Sequence, residues 1–178
     1  MSIRSWIVMH KGGRARQKGR LLDAHQAYST AVEIGRARNS ASILTAALKG
    51  LGQIERDLGR TGSARKLYEE AVALSRQRGA PLQLAHTIRH LGDLHQDAGR
   101  YDLAESCYEE ALAIYRAESA ARPLDVANAL RPFALLHEGL GRTERARALW
   151  TEAQNIYTRL HLSDGVDESA EHLARLAG

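Results

Sequence analysis

Three side chains fall where a metal site could be built. His86, His90 and Asp93 recur at i, i+4 and i+7, which puts them on one face of a helix, and imidazole with carboxylate is a donor set that suits a divalent ion. Such a site would serve a metal-binding sensor or a metal-dependent catalyst. The metalloprotease version is excluded, because no glutamate follows His86. Eight histidines in an Arg-rich chain produce pairs of this kind by chance, and one of the three would have to swing out of its preferred direction. The expectation is therefore no resident metal and no cofactor, with His86/His90/Asp93 as an alternative. His95 and His137 read as packing residues near helix turns. Cys107 shares its column with Leu67 and Leu149 and reads as a small hydrophobe, not a nucleophile. Lys11-Gly12-Gly13 lacks the spacing of a phosphate loop, and Gly50-x-Gly52 and Gly139-x-Gly141 lack the third glycine and preceding strand of a dinucleotide site. No constellation rises to catalysis, and the chain reads as non-enzymatic.

The elements that must position these residues are set by a repeat. Gly-Arg recurs at Gly19, Gly59, Gly99 and Gly141, a spacing of 40, 40 and 42. Nine residues after each glycine stands an aromatic residue: Tyr28, Tyr68, Tyr108 and Trp150. Alanines lie four before and three after each ring, from Ala24 and Ala31 to Ala146 and Ala153. Upstream of the glycines, Leu51-Gly52, Leu91-Gly92 and Phe133-Ala134 share one offset. Each unit reads as two helices: Ile88, Leu91, Leu94 and Ala98 keep helical spacing, the chain breaks at Gly99, and Asp102 with Glu105 resembles a capping box for the next helix. Gly79 before Pro81, and Pro123 before Asp125, mark junctions between units. No β-period alternation of any length occurs, so the chain reads as all-α.

Leu-Gly followed by Ala-x3-Tyr-x2-Ala resembles the tetratricopeptide repeat, and the longer period of 40 to 42 is similar to the kinesin-light-chain type. The resemblance covers nearly the whole chain. It implies a right-handed superhelical solenoid of antiparallel helix hairpins whose first helices line a concave surface, and a binding scaffold with diverse partners rather than an enzyme. The expected organisation is one domain over 1–178, with repeats at about 3–38, 41–79, 82–119 and 124–161. A lone capping helix is expected over 166–177, with Ala170, Leu173 and Ala174 in the Leu-Gly register.

Columns between the packing positions of the first helices indicate what the groove would offer. One reads Met9, Lys49, Arg89, Arg131; its neighbour reads Trp6, Ala46, His86, Asn128; a third reads Gly13, Gln53, Asp93, Leu135, with Arg16 and Arg56 beyond. First helices about 10 Å apart leave like charges repelling by only about 0.4 kcal/mol in water, so the cation row is tolerable and favours an anionic guest. The expected ligand is a peptide or protein segment of acidic character, held by Lys49, Gln53, Arg56, His86, Arg89, Asp93, Asn128 and Arg131. Asp93, four residues after Arg89, is placed to neutralise it. Pro132 removes one backbone donor and is expected to kink the fourth first helix.

The first unit departs from the pattern, with Lys11, Arg14 and Lys18 where the second has Leu51, Ile54 and Leu58. Burying three unpaired cations is prohibitive, so this helix is expected not to pack as its counterparts do. Either it frays with its charges in water, or Trp6, Ile7, Val8 and Met9 anchor another chain. A homo-oligomer formed through Trp6, Ile7 and Met9 is the alternative structural role. Overall, 178 residues with 44% hydrophobic and 26% charged content suit a folded chain. The formal charge of +4 is uneven, since residues 1–20 hold six cations and no carboxylate, while Asp164, Asp167, Glu168 and Glu171 face only Arg175 at the other end. Nucleic acid is disfavoured as a partner, because base-stacking and base-reading motifs are missing. No apolar run is long enough to span a membrane, and a single cysteine fits a reducing, cytoplasmic setting.

Overall fold

The glycines that punctuate the sequence act through backbone conformation. Gly19, Gly59, Gly99 and Gly141 have φ of 69°, 75°, 70° and 69°, the left-handed region that disfavours side chains. Each closes a Schellman cap. After Asp57, for example, the Gly59 N–H donates to the Arg56 carbonyl and the Arg60 N–H to the Glu55 carbonyl. Where one hairpin gives way to the next, Asn39 (φ 47°), Gly79 (58°) and His161 (56°) take the same conformation.

The computed structural model describes residues 3–178. Among them lie nine helices and no strand: α1 (Ile3–Gln17), α2 (Leu21–Ala37), α3 (Ala41–Asp57), α4 (Thr61–Gln77), α5 (Pro81–Asp97), α6 (Tyr101–Ala117), α7 (Pro123–Gly139), α8 (Thr143–Arg159) and α9 (Ser163–Ala177). The fold is an all-α solenoid of consecutively packed helix pairs, with α9 as an unpaired last helix. It comprises two compact units, Met1–Leu94 and His95–Gly178.

In the first unit α1 packs on α2 and touches α3, α2 packs on α3, and α3 on α4. Its core joins Ala31, Val32, Ala47, Leu48, Leu51 and Ala71, with Val8, Met9 and Tyr28 against them. A second cluster sets Ile54 against Ala15 and Ala24, and a third sets Tyr68 against Ala64 and Leu94. In the second unit α6 packs on α7, α7 on α8, and α8 on α9. There Tyr108, Phe133, Leu130 and Trp150 are buried, and all eight alanines that flank the four rings along the chain are fully buried. Small residues let the helices approach, and each ring fills the space so formed. Tyr28 is wedged this way: a Cβ on Gly12 of α1 would sit 2.9 Å from one ring edge, and one on Gly50 of α3 would sit 2.2 Å from the other.

Two expectations about local structure are corrected. Asp102 and Glu105 form no capping box: Arg100 is the N-cap of α6, with no side-chain cap bond, and Glu105 accepts instead from Arg142 at 2.7 and 3.0 Å. A charge-assisted pair across helices outcompetes a neutral backbone donor. The first helix, moreover, does pack in the register of its counterparts. Ser5, Gly12 and Ala15 are buried, as are Thr45, Gly52 and Glu55 forty residues on. Lys11, Arg14 and Lys18 stay exposed because they lie on the side that in α3 meets the preceding hairpin, and among the described residues nothing packs there on α1. The α7 helix runs unbroken through Pro132.

Candidate functional site

The polar columns of α3 and α5 meet in the first unit around one buried carboxylate. Asp93, 8% exposed, accepts from His90 Nδ1 at 3.2 Å and from Arg56 at 3.3 Å, and its Oδ2 lies 3.5 Å from Arg89. Arg89 in turn reaches His90 Nε2 at 3.0 Å. The His90 ring stacks on Tyr68 (centroids 5.7 Å apart) and meets His86 edge-on at 4.9 Å. Burial is the main influence on His90; with the charges of Arg89 and Lys49 it outweighs Asp93 and takes the imidazole down to about 4, so His90 is neutral at pH 7. For Asp93 burial is also the largest single influence and raises the carboxyl. The His90 hydrogen bond with Arg89 and Arg56 together outweigh it and hold Asp93 below its ordinary range. Arg56 and Arg89 thus converge on the Asp93 carboxylate, and Lys49 lies near enough to act on the adjoining His90.

His86, His90 and Asp93 do not build the metal site their spacing allowed. Among the described residues no group of three potential ligands is placed to hold an ion, since Asp93 is directed into the guanidinium groups and the two imidazoles meet ring to edge.

Neighbouring first helices are cross-linked by an Arg-to-acceptor offset of 37 residues. Arg56 reaches Asp93, Arg131 reaches Glu168 at 2.6 and 2.5 Å, and Gln53, with its amide oxygen turned to Arg16, accepts at 3.1 and 3.2 Å. Arg16 also holds Asp57 at 2.6 Å. Second helices are tied in the same manner by Arg36 to Glu70 and Arg116 to Glu152. Exposed pairs of this type contribute about 0–1 kcal/mol each. In the second unit Asn128 and Arg131 are both exposed, and the hydrogen bond from Arg131 holds the Glu168 carboxyl below its usual range.

A second recurring device was not read from the sequence. In the second unit the ring of each second helix donates to the residue twelve positions earlier: Tyr108 to Gln96 at 2.9 Å, and Trp150 to Glu138 at 3.2 Å. His172, stacked on Trp150 at 4.2 Å, shares the same Glu138 oxygen at 2.6 Å. For Tyr68 the residue twelve earlier is Arg56, which has only donors. The Tyr68 hydroxyl therefore cannot donate there as Tyr108 does to Gln96, and the fully buried group has no hydrogen-bond partner. The signal was available, because Gln96, Glu138 and Arg56 share one column.

On α1, Trp6 and Ile7 are 51% and 52% exposed, and Trp6 stacks on His10 at 5.0 Å. Met9 is half-buried against the Ala31–Ala71 core, so it belongs to the packing of the unit rather than to an exposed apolar patch. Cys107 is half-buried. No helix of the described residues is long and apolar enough to cross a membrane.

Consecutively packed helix hairpins that carry polar columns on their first helices define a helical repeat scaffold. The chain belongs to the tetratricopeptide repeat family, whose model matches residues 42–117 and again 83–159. Its repeats are similar in fold to kinesin-light-chain-type repeats. BtubC (BKLC) from P. vanneervenii is 20% identical, with a TM-score of 0.75 over 93% of this chain and 72% of that one. A kinesin-light-chain-type protein of Podosopora anserina with nearly identical TPR-like repeats is 18% identical, with a TM-score of 0.78 over 99% and 87%. Aspartyl phosphate phosphatase F from Bacillus subtilis is 13% identical, with a TM-score of 0.85 over 96% of this chain and 45% of its own. At these identities the likeness is one of fold. No curated protein matches the chain. The family is generally a non-enzymatic interaction fold that binds protein partners.

Proposed function

We propose that this protein is a non-enzymatic module that captures an acidic protein segment on the inner face of its first helices, with Lys49, Arg56 and Arg89 as the main contacts. The observation that carries this reading is the charge arrangement in the first unit: Arg56 and Arg89 both reach Asp93, Lys49 acts on the adjoining His90, and His90 is neutral at pH 7. A guest carboxylate would accept charge-assisted hydrogen bonds from these cations, in a half-buried setting where water screens it less than on an open surface. His86 borders the cluster edge-on to His90, Gln53 lies on the same helix as Lys49 and Arg56, and Asn128 with Arg131 offers similar chemistry in the second unit.

The test is fluorescence anisotropy with a labelled Glu-rich peptide and its Gln-rich counterpart. The Glu-rich peptide should bind, the Gln-rich peptide should bind at least about tenfold more weakly, and Lys49→Ala/Arg89→Ala should lose the difference, a change of about 1.4 kcal/mol. Equal binding of both peptides by the unmodified protein would refute the reading.

A further inference from the structure

The two outer helices carry open faces that complement each other. In α3 the residues directed at the preceding hairpin are buried: Ile54 lies against Ala15 and Ala24, and Ala47 with Leu51 against Ala31 and Val32. The positions forty residues earlier, on α1, are Ile7, Lys11 and Arg14, all exposed. With Ile3, Arg4 and Lys18 they form a stripe that is apolar towards the N-terminal end and cationic towards the C-terminal end. None of Arg4, Lys11, Arg14 and Lys18 forms an ion pair among the described residues.

The opposite arrangement runs along α9. Ala127, Leu130 and Ala134 are completely buried in α7, whereas their counterparts forty residues on, Asp167, Ala170 and Ala174, are exposed. This stripe is acidic at its N-terminal end, where Asp164, Asp167 and Glu171 form no ion pair among the described residues, and small and apolar at its C-terminal end.

We infer that the open face of α1 docks on the open face of α9 of a second copy of this chain, antiparallel. Both helices have 15 residues. In that direction Lys18 meets Asp164, Arg14 meets Asp167, Lys11 meets Glu171, and Ile7 falls against Ala174. Parallel packing would bring the cations to the alanine end and the carboxylates to the isoleucines. Antiparallel neighbours are also how consecutive helices of the solenoid pack, and alanine lets a helix approach closely enough to cover Ile7. One charge opposes the fit: Arg175 lies beside this stripe, but its guanidinium is turned to His172. Because the two faces differ, the contact is heterologous and leaves one open face of each kind, so assembly continues head to tail rather than closing as a dimer. This surface is separate from the Asp93 cluster and independent of what that cluster binds.

Sedimentation velocity on the full chain tests the inference, run over rising concentration at low and high salt. At low salt the protein should form species that keep growing with concentration, and high salt should dissolve them. Lys11→Glu/Arg14→Glu and Asp167→Lys/Glu171→Lys, each verified as helical by circular dichroism, should each shift association to at least about tenfold higher concentration. An equimolar mixture of the two variants restores opposite charge at every α1–α9 contact and should associate like the unmodified protein. The inference is overturned by a monomer under all conditions, by variants that associate normally, by a closed dimer indifferent to Asp167→Lys/Glu171→Lys, or by a mixture no better than its components.

Discussion

Replacing Gly50 with alanine should weaken the first unit, although glycine is the poorer helix former. A helix interior gains about 1 kcal/mol on changing Gly to Ala. Against that, the new Cβ would stand 2.2, 2.5 and 2.7 Å from Cε1, Cδ1 and Cζ of Tyr28, well inside van der Waals contact. The ring has little room to retreat, because its far edge faces the Gly12 backbone, where even an added Cβ would stand only 2.9 Å away. Overpacking of a well-filled site costs about 1–3 kcal/mol, and a pinned ring belongs at the upper end, which leaves a net loss of about 2 kcal/mol. For a chain of this size that lowers Tm by about 4–8 °C. Gly13 is the control: a Cβ there meets nothing closer than Tyr28 Oη at 3.6 Å, so Gly13→Ala should raise Tm by about 2–4 °C. Thermal unfolding followed at 222 nm reads both, and Tyr28→Leu in the Gly50→Ala background should recover part of the loss. A Gly50→Ala protein as stable as the unmodified chain would refute the wedged-ring account.

Tyr68→Phe removes a buried hydroxyl that has no partner and should leave stability unchanged or raise it, whereas Tyr108→Phe breaks the bond to Gln96 and should cost about 1 kcal/mol; urea unfolding distinguishes them. His90 prefers its neutral form in the folded state, with a value of about 4 against the ordinary 6.5. Its contribution to stability is therefore complete above pH 6.5 and is lost as pH falls towards 4, while His90→Gln should flatten that part of the profile. NMR titration of the His90 ring giving a value near 6.5 would contradict the burial argument.

Most of the architecture was legible in the sequence because it rests on residues with few alternatives. Gly19, Gly59, Gly99 and Gly141 are where a left-handed cap is needed, and the buried alanines and rings fix the packing between caps. The site was legible only as columns. That Arg56 and Arg89 would both turn to Asp93, and that His90 would stack on Tyr68, depends on side-chain directions that spacing leaves open. The same limit is why His86/His90/Asp93 stayed only an alternative, since i, i+4 and i+7 put groups on one face without aiming them at one point. Glu105 was read as a local cap because its partner Arg142 lies a whole repeat away. Lys11, Arg14 and Lys18 stay in water, as the cost of burying unpaired cations requires, whereas the packing of Ser5, Gly12 and Ala15 on the other side of the same helix was not legible from that column.

The central claim is that the cationic inner face selects a protein partner. Affinity capture from the native cell with mass spectrometry, comparing the unmodified protein with a correctly folded Lys49→Ala/Arg89→Ala variant, measures it most directly. The prediction is that particular proteins vanish from the variant's list and that their binding regions are rich in Asp and Glu. Identical lists from the two proteins would contradict it.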